Sequence, residues 1–180
     1  SARNPRPPQA PPRWTSSAVS PAVWASSAGT TPGICAPSWR RNTVVSRLLI
    51  DTGPLVAWLD RGDRDHARVG VFLAGFRGRL LTTWPVLTEV CHLIPGYIVP
   101  RFLRWVEASV ELHELPTAAV SDLAARIEKY HDLPMDLADA SLVWLADQIG
   151  VLEILTLDER DFGVYRLAGG QRFRNVLADG

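Results

Sequence analysis

Three aliphatic residues ended by an acid, Leu48-Leu49-Ile50-Asp51, and followed at once by Thr52-Gly53-Pro54, constrain this chain more than any other feature. A short apolar run bounded by turn formers reads as a buried strand. Thr52 is a candidate N-cap and Pro54 falls in the first turn, so a helix opens directly behind the strand. A carboxylate beside a buried strand costs several kcal/mol unless something compensates it. The fold must therefore bring compensation to Asp51.

The same texture recurs downstream. Residues 64–76 fit a helix and 79–83 a strand. Residues 85–93 fit a helix with Pro85 in its first turn, ended by Pro95-Gly96. A short helix is expected over 101–108, and the alternation over 110–115 predicts a strand. Apolar residues at 119, 120, 123, 124 and 127 have helical spacing and place a helix over 118–130. A further helix over 135–149 is closed by Gly150, and 153–157 reads as a strand. The remainder is short and mixed, and no internal repeat is visible. Strands alternating with helices imply a central, mostly parallel sheet covered on both faces. Ligands gather beyond the carboxyl ends of such strands. Asp51 and Asp158 each follow a strand and so belong on one edge.

Composition divides the chain in two. Residues 1–47 hold six arginines and no acid, leaving 13 basic against 19 acidic residues in 48–180, a formal charge of −6. Nucleic-acid binders usually show the opposite balance; an acidic domain acts on RNA when bound metal neutralises its carboxylates. Eight prolines, eight serines and seven alanines in residues 1–47 show no periodicity. Such a stretch buries too little apolar surface to offset its ordering entropy. It is expected to be a disordered extension or a misassigned start, with 48–180 as the folded domain, although Trp14, Trp24 and Trp39 are unusual for disorder. The acid-free, Arg- and Ser-rich segment also has the texture of a transit peptide. Arg40-Arg41 looks like a twin-arginine signal, but Arg47 and Asp51 interrupt the apolar run that should follow. Cys35 and Cys91 are too few and too far apart for a disulfide framework or a zinc site, which fits a reducing cytoplasm. No run of 18 apolar residues exists, so no membrane span is expected.

Four acids carry the candidate chemistry: Asp51, Glu89, Asp139 and Asp158. Several carboxylates ending or facing apolar elements suggest a convergent site for a divalent cation. Each also has a plainer reading. Asp51 could cap the following helix, although Thr52 or Gly53 competes for that position. Glu89, with Thr88 and His92, could be a solvated helical stripe, and taken alone that reading is favoured. Asp136 and Asp139 lie on one helix face; Asp136 suits the N-cap and Asp139 the third helical position. Small or apolar Ala138, Ala140 and Leu142 crowd Asp139, which the plainer reading explains less well. Asp158 and Asp161 flank a turn that one of them stabilises. Thr52 could hold a metal or its water by a hydrogen bond. Arg160 and Arg166 lie close in sequence and could contact phosphate, solvated arginines being the default.

Taken together, "LLIDTGPLVAWLDRGDRDH", "TTWPVLTEV", "DLPMDLADASLVWLA" and "ILTLDERDF" resemble the PIN-domain ribonucleases, specifically the VapC-type toxins of toxin–antitoxin pairs. The resemblance covers about residues 48–176 and rests on the ordered set of segments. It implies a three-layer α/β/α fold and places Asp51, Glu89, Asp139 and Asp158 in the family's acidic quartet, with Asp136 as an additional acid. It also implies RNA cleavage dependent on Mg²⁺ or Mn²⁺, a homodimer, and inhibition by a small cognate antitoxin. Hard oxygen donors suit these ions.

Rival readings differ in class. Ile50-Asp51-Thr52-Gly53 matches the aspartic-protease signature, but Pro54 and a helix follow where that family has Ser or Ala on a β-rich chain. A haloacid-dehalogenase-type phosphatase needs a second Asp where Gly53 stands. A housekeeping PIN-type RNA-processing nuclease and a non-catalytic PIN-fold interaction module stay open. Composition also generates a first prediction. Deleting residues 1–43 should leave melting temperature and activity nearly unchanged; a large fall in melting temperature would show that the tryptophans dock on the domain.

Overall fold

Leu48, Leu49 and Ile50 are each fully buried, which puts strand β1 (Arg47–Ile50) in the middle of the structure. Successive strand residues face opposite sides, so three buried in a row require cover on both faces of the sheet. Each such side chain contributes about 1.5–3 kcal/mol by its burial. The computed structural model describes residues 47–133 and 135–178. The readings made for residues 1–46 lie outside the described residues.

From β1 the chain runs through α1 (Thr52–Leu59) and α2 (His66–Gly75) to β2 (Arg79–Thr83). Helices α3 (Trp84–Leu93) and α4 (Val99–Ser109) lead to β3 (Val110–His113). A 3₁₀ turn over Thr117–Ala119 precedes α5 (Val120–Lys129) and α6 (Leu137–Ile149). Then come β4 (Glu153–Leu155), α7 (Glu159–Val164) and β5 (Arg174–Asn175). The five strands lie in the order β3-β2-β1-β4-β5, and all pairs are parallel. This is the expected α/β architecture with helices covering a central sheet. The chain builds outward from β1 to β3 and then returns to the other side of β1 for β4. The point where direction reverses lies between β1 and β4, where ligands bind in open parallel sheets.

Several boundaries differ from the sequence reading for identifiable reasons. Helix α6 starts at Leu137, two residues late, because Asp136 is its cap: its Oδ1 accepts from the Asp139 N–H at 2.9 Å. Gly150 ends α6 with φ of 67°, a left-handed conformation that suits glycine. The segment 118–130 divides into the 3₁₀ turn and α5. Helix α7 and strand β5 were not expected. Six and two residues long, they carry no period that a pattern can register.

Three buried hydroxyls tie these elements together. Thr82 Oγ1 donates to the Ile50 carbonyl at 2.9 Å, joining β2 to β1. Ser141 Oγ donates to Ala138 O, which leaves Thr83 Oγ1 to donate to Ser141 and ties the end of β2 to the first turns of α6. No helix among the described residues is long and apolar enough to cross a membrane. Leu49→Ala should cost about 2–5 kcal/mol, because a central side chain leaves a cavity that the sheet cannot close. Urea denaturation checks this: the midpoint should fall with an unchanged slope.

Candidate active site

Asp51 is the first residue beyond β1 and is only 7% exposed. It is also the N-cap of α1, since the helix starts at Thr52 itself. This corrects the expectation that Thr52 or Gly53 would take the cap. Its Oδ1 accepts from the Thr52 N–H at 2.7 Å, and its Oδ2 accepts from Thr156 Oγ1 at 2.8 Å. The backbone N–H of Asp51 donates to Leu155 O at 3.1 Å, continuing the β1–β4 ladder. Burial pushes the Asp51 carboxyl up to about 6 against the two hydrogen bonds, and the charges of Glu89 and Asp136 push the same way.

The other acids gather from separate elements. Glu89, on α3, accepts from Thr52 Oγ1 at 2.6 Å, so Thr52 bridges two carboxylates through its N–H and its hydroxyl. Asp139, in the first turn of α6, accepts from the Tyr165 hydroxyl at 3.1 Å. Burial, then the charges of Asp51 and Asp136, push Asp139 up to about 8, opposed by the Tyr165 hydrogen bond. Tyr165 is itself fully buried and held by edge contacts with Phe162 and Tyr130. Burial and the neighbouring Asp139 charge raise its phenol well above its ordinary value, so it stays a donor.

Asp158 is exposed and caps α7, its Oδ1 accepting from Asp161 N–H at 2.9 Å. It joins Asp51 through one residue: Thr156 Oγ1 accepts from Asp158 N–H at 2.9 Å while donating to Asp51. Asn175 of β5 fixes Thr156 in turn, its Nδ2 donating to Thr156 O at 3.0 Å. Arg160 is exposed at the start of α7. Arg166 directs its Nη1 at the carbonyls of Gly163, Val164 and Tyr165, closing the end of α7. Thr156, Asn175 and Tyr165 escaped the sequence reading. For Thr156 a signal existed, a hydroxyl between two leucines in "ILTLDERDF".

At the carboxyl edge of the sheet, Asp51 feels the charges of Glu89 and Asp136, Asp139 feels those of Asp51 and Asp136, and Asp158 is linked to Asp51 through Thr156. Among the described residues no group of three or more His, Cys, Asp or Glu side chains is gathered closely enough to hold a metal ion. The donor set nonetheless has the chemistry of a hard divalent cation site, being made of carboxylates alone. The charges of Asp51 and Asp136 raise the Asp139 carboxyl, a repulsion that a cation would relieve. Beside them a cleft of about 860 Å³ runs along α3 to the first turn of α6 and takes in Glu89 and Asp136.

No family model matches the chain. It is 30% identical over 131 residues to ribonuclease VapC26 of Mycobacterium tuberculosis, a match spanning 70% of this chain and 97% of that protein. The crystal structure of VapC20 from the same organism, described as a sarcin-ricin loop cleaving toxin, superposes with a TM-score of 0.55 at 15% identity. That match covers 63% of this chain and 91% of the other.

The shifted carboxylates fix a sign for stability against pH. Asp51 and Asp139 bind protons more tightly folded than unfolded, their unfolded values lying near 3.8. Between about pH 4 and 8 the native state therefore holds more protons, and their contribution to stability falls as pH rises. In EDTA, Asp139→Asn should gain stability over the parent protein as pH rises from 6 to 8. Urea titrations of both proteins at pH 5, 6, 7 and 8 read this difference, and a gap constant with pH would refute the shift.

Proposed function

This chain belongs to the VapC-type toxins, a family of PIN-domain endoribonucleases, and we propose that it hydrolyses RNA at the cluster of Asp51, Glu89, Asp139 and Asp158 with a divalent cation held among them. The observation that carries the assignment is the placement of Asp51, Glu89 and Asp139. Three carboxylates from separate elements lie at the carboxyl edge of a parallel sheet, each held by a neutral hydroxyl donor.

Mg²⁺ fits the donor set best, with Mn²⁺ able to replace it. The ion, when bound, supplies Lewis-acid stabilisation of the charge that develops on the phosphate. The chain's own residues do the rest. Thr52 and Thr156 hold the Asp51 carboxylate in one orientation, and Tyr165 does the same for Asp139. Asp139, pushed up to about 8, is largely protonated at neutral pH, so holding a cation would require it to give up that proton. Cation affinity should therefore rise with pH. Asp136 caps α6 and supports Asp139 through that helix turn. We assign Arg160, exposed beside Asp158, to phosphate contact; Arg166 is engaged with carbonyls. The partners of this reading are RNA, a second copy of the chain and a small cognate antitoxin, and the free Cys91 suits the reducing cytoplasm.

Purified protein with Mg²⁺ or Mn²⁺ should cut RNA, and EDTA should stop it; an interaction module without turnover would not cut. Asp51→Asn should lower kcat by at least about a hundredfold with the fold retained. Asp139→Asn should lose both activity and the rise in melting temperature that Mn²⁺ gives, whereas Asp136→Ser should keep that rise, since serine caps about as well as aspartate. Full metal-dependent activity in Asp51→Asn would sink the site assignment.

A further inference from the structure

The cleft beside the carboxylates has a lining that the hydrolytic reaction alone does not explain. Trp84, the first residue of α3, is 51% exposed, and Leu137, the first residue of α6, is also 51% exposed. Both line the cleft, together with Glu89, His92, Glu114 and Asp136. Large apolar side chains left open to water at a site mark a binding surface. The ends of β2 and the start of α6 are pinned by Thr83 and Ser141, so Trp84 and Leu137 project from rigid ground.

Charge narrows the occupant. Three carboxylates line the cleft, on Glu89, Glu114 and Asp136, and among the described residues its only basic lining group is His92. A phosphate would be repelled there. A nucleobase has a neutral face for Trp84 and edge groups for the carboxylates. Adenine and cytosine carry an exocyclic amine that donates to a carboxylate, whereas uracil offers two carbonyls and one N–H. The volume of about 860 Å³ lies within the range of small-ligand sites and accommodates a nucleotide.

Building on the ribonuclease reading, we infer that this cleft is a base-binding subsite next to the scissile phosphate. Trp84 stacks the base against Leu137, and Glu114 selects an amine-bearing base over uracil. Glu89 and Asp136 border both the subsite and the carboxylate cluster, so a base seated in the cleft delivers its own phosphate to the cluster. Trp84 is then a specificity residue for the reaction, and Glu114 a reader of the base edge.

The test measures binding and cleavage separately. Fluorescence anisotropy of 5′-labelled oligo(A), oligo(C) and oligo(U) is followed on the full chain carrying Asp51→Asn, in Mg²⁺. Oligo(A) and oligo(C) should bind more tightly than oligo(U). Adding Trp84→Ala should weaken binding about 5- to 100-fold, the range that loss of base stacking gives, and Trp84→Phe should restore most of it. Adding Glu114→Gln, whose amide both donates and accepts, should narrow the gap between oligo(U) and the others. On the catalytically intact chain, Trp84→Ala should raise KM far more than it lowers kcat. Unchanged affinity in Trp84→Ala at an unchanged melting temperature would overturn the subsite even if the parent protein cuts RNA. A parent protein that binds through Trp84 but does not cut would overturn the hydrolytic reading and leave the subsite standing.

Discussion

Burial of the Asp51 carboxylate is the constraint around which the rest of the structure is arranged. At 7% exposure it has given up most of its water, which favours its protonated form. Three elements respond. Helix α1 offers the Thr52 N–H, the segment after β4 offers the Thr156 hydroxyl, and β5 steadies that segment through Asn175. The last contact gives a two-residue strand at the edge of the sheet a purpose. It holds the residue that holds the acid. Neutral donors compensate only in part, since the carboxyl still rises to about 6, and the remaining deficit is what a cation would fill.

The same logic separates the roles of the two most perturbed acids. Asp51 is orientated by two hydrogen bonds and is the more readily ionised. Asp139 meets the Asp51 charge across the cluster and holds its proton to about 8. In the absence of a cation the pair is best described as sharing a charge deficit. Tyr165 holds the second carboxylate by a hydrogen bond without adding charge, because its own phenol is driven further from ionisation by that neighbour. A lysine in its place would neutralise Asp139 and leave less reason for a cation to bind. The site accordingly carries repulsion that weakens the metal-free fold and that a bound cation would relieve.

Much of this was legible in the sequence, and the part that was not follows a pattern. The aliphatic triplet of β1 and the acid behind it announced both the central strand and the site edge. The parallel sheet followed from alternation. Elements of six and two residues, α7 and β5, could not be read, since neither spans enough of a period to be distinguished from a turn. Thr156 stood out as a hydroxyl between two leucines, but its partner Asp51 lies 105 residues away, and the partner of Tyr165 lies 26 residues away. A local pattern carries no trace of such contacts. The cap at Asp51 was misjudged for a subtler reason. The strand ends and the helix begins with no loop between them, so one residue closes the first and opens the second.

That economy explains why the acids along this edge are also helix caps. Asp51, Asp136 and Asp158 are the N-caps of α1, α6 and α7. In a parallel sheet, the carboxyl end of a strand is where the next helix starts, so an acid placed for the site also lies near orphan N–H groups. The two roles need not compete. An ionised carboxylate has about four acceptor positions and a cap uses one of them. Asp136 and Asp158 each use Oδ1 for the backbone, and neither Oδ2 has a protein donor among the described residues. Capping fixes the side-chain torsion, and with it the direction of the second oxygen. A helix cap therefore also aims the free oxygen of its acid, and a structural role for such a residue does not exclude a functional one.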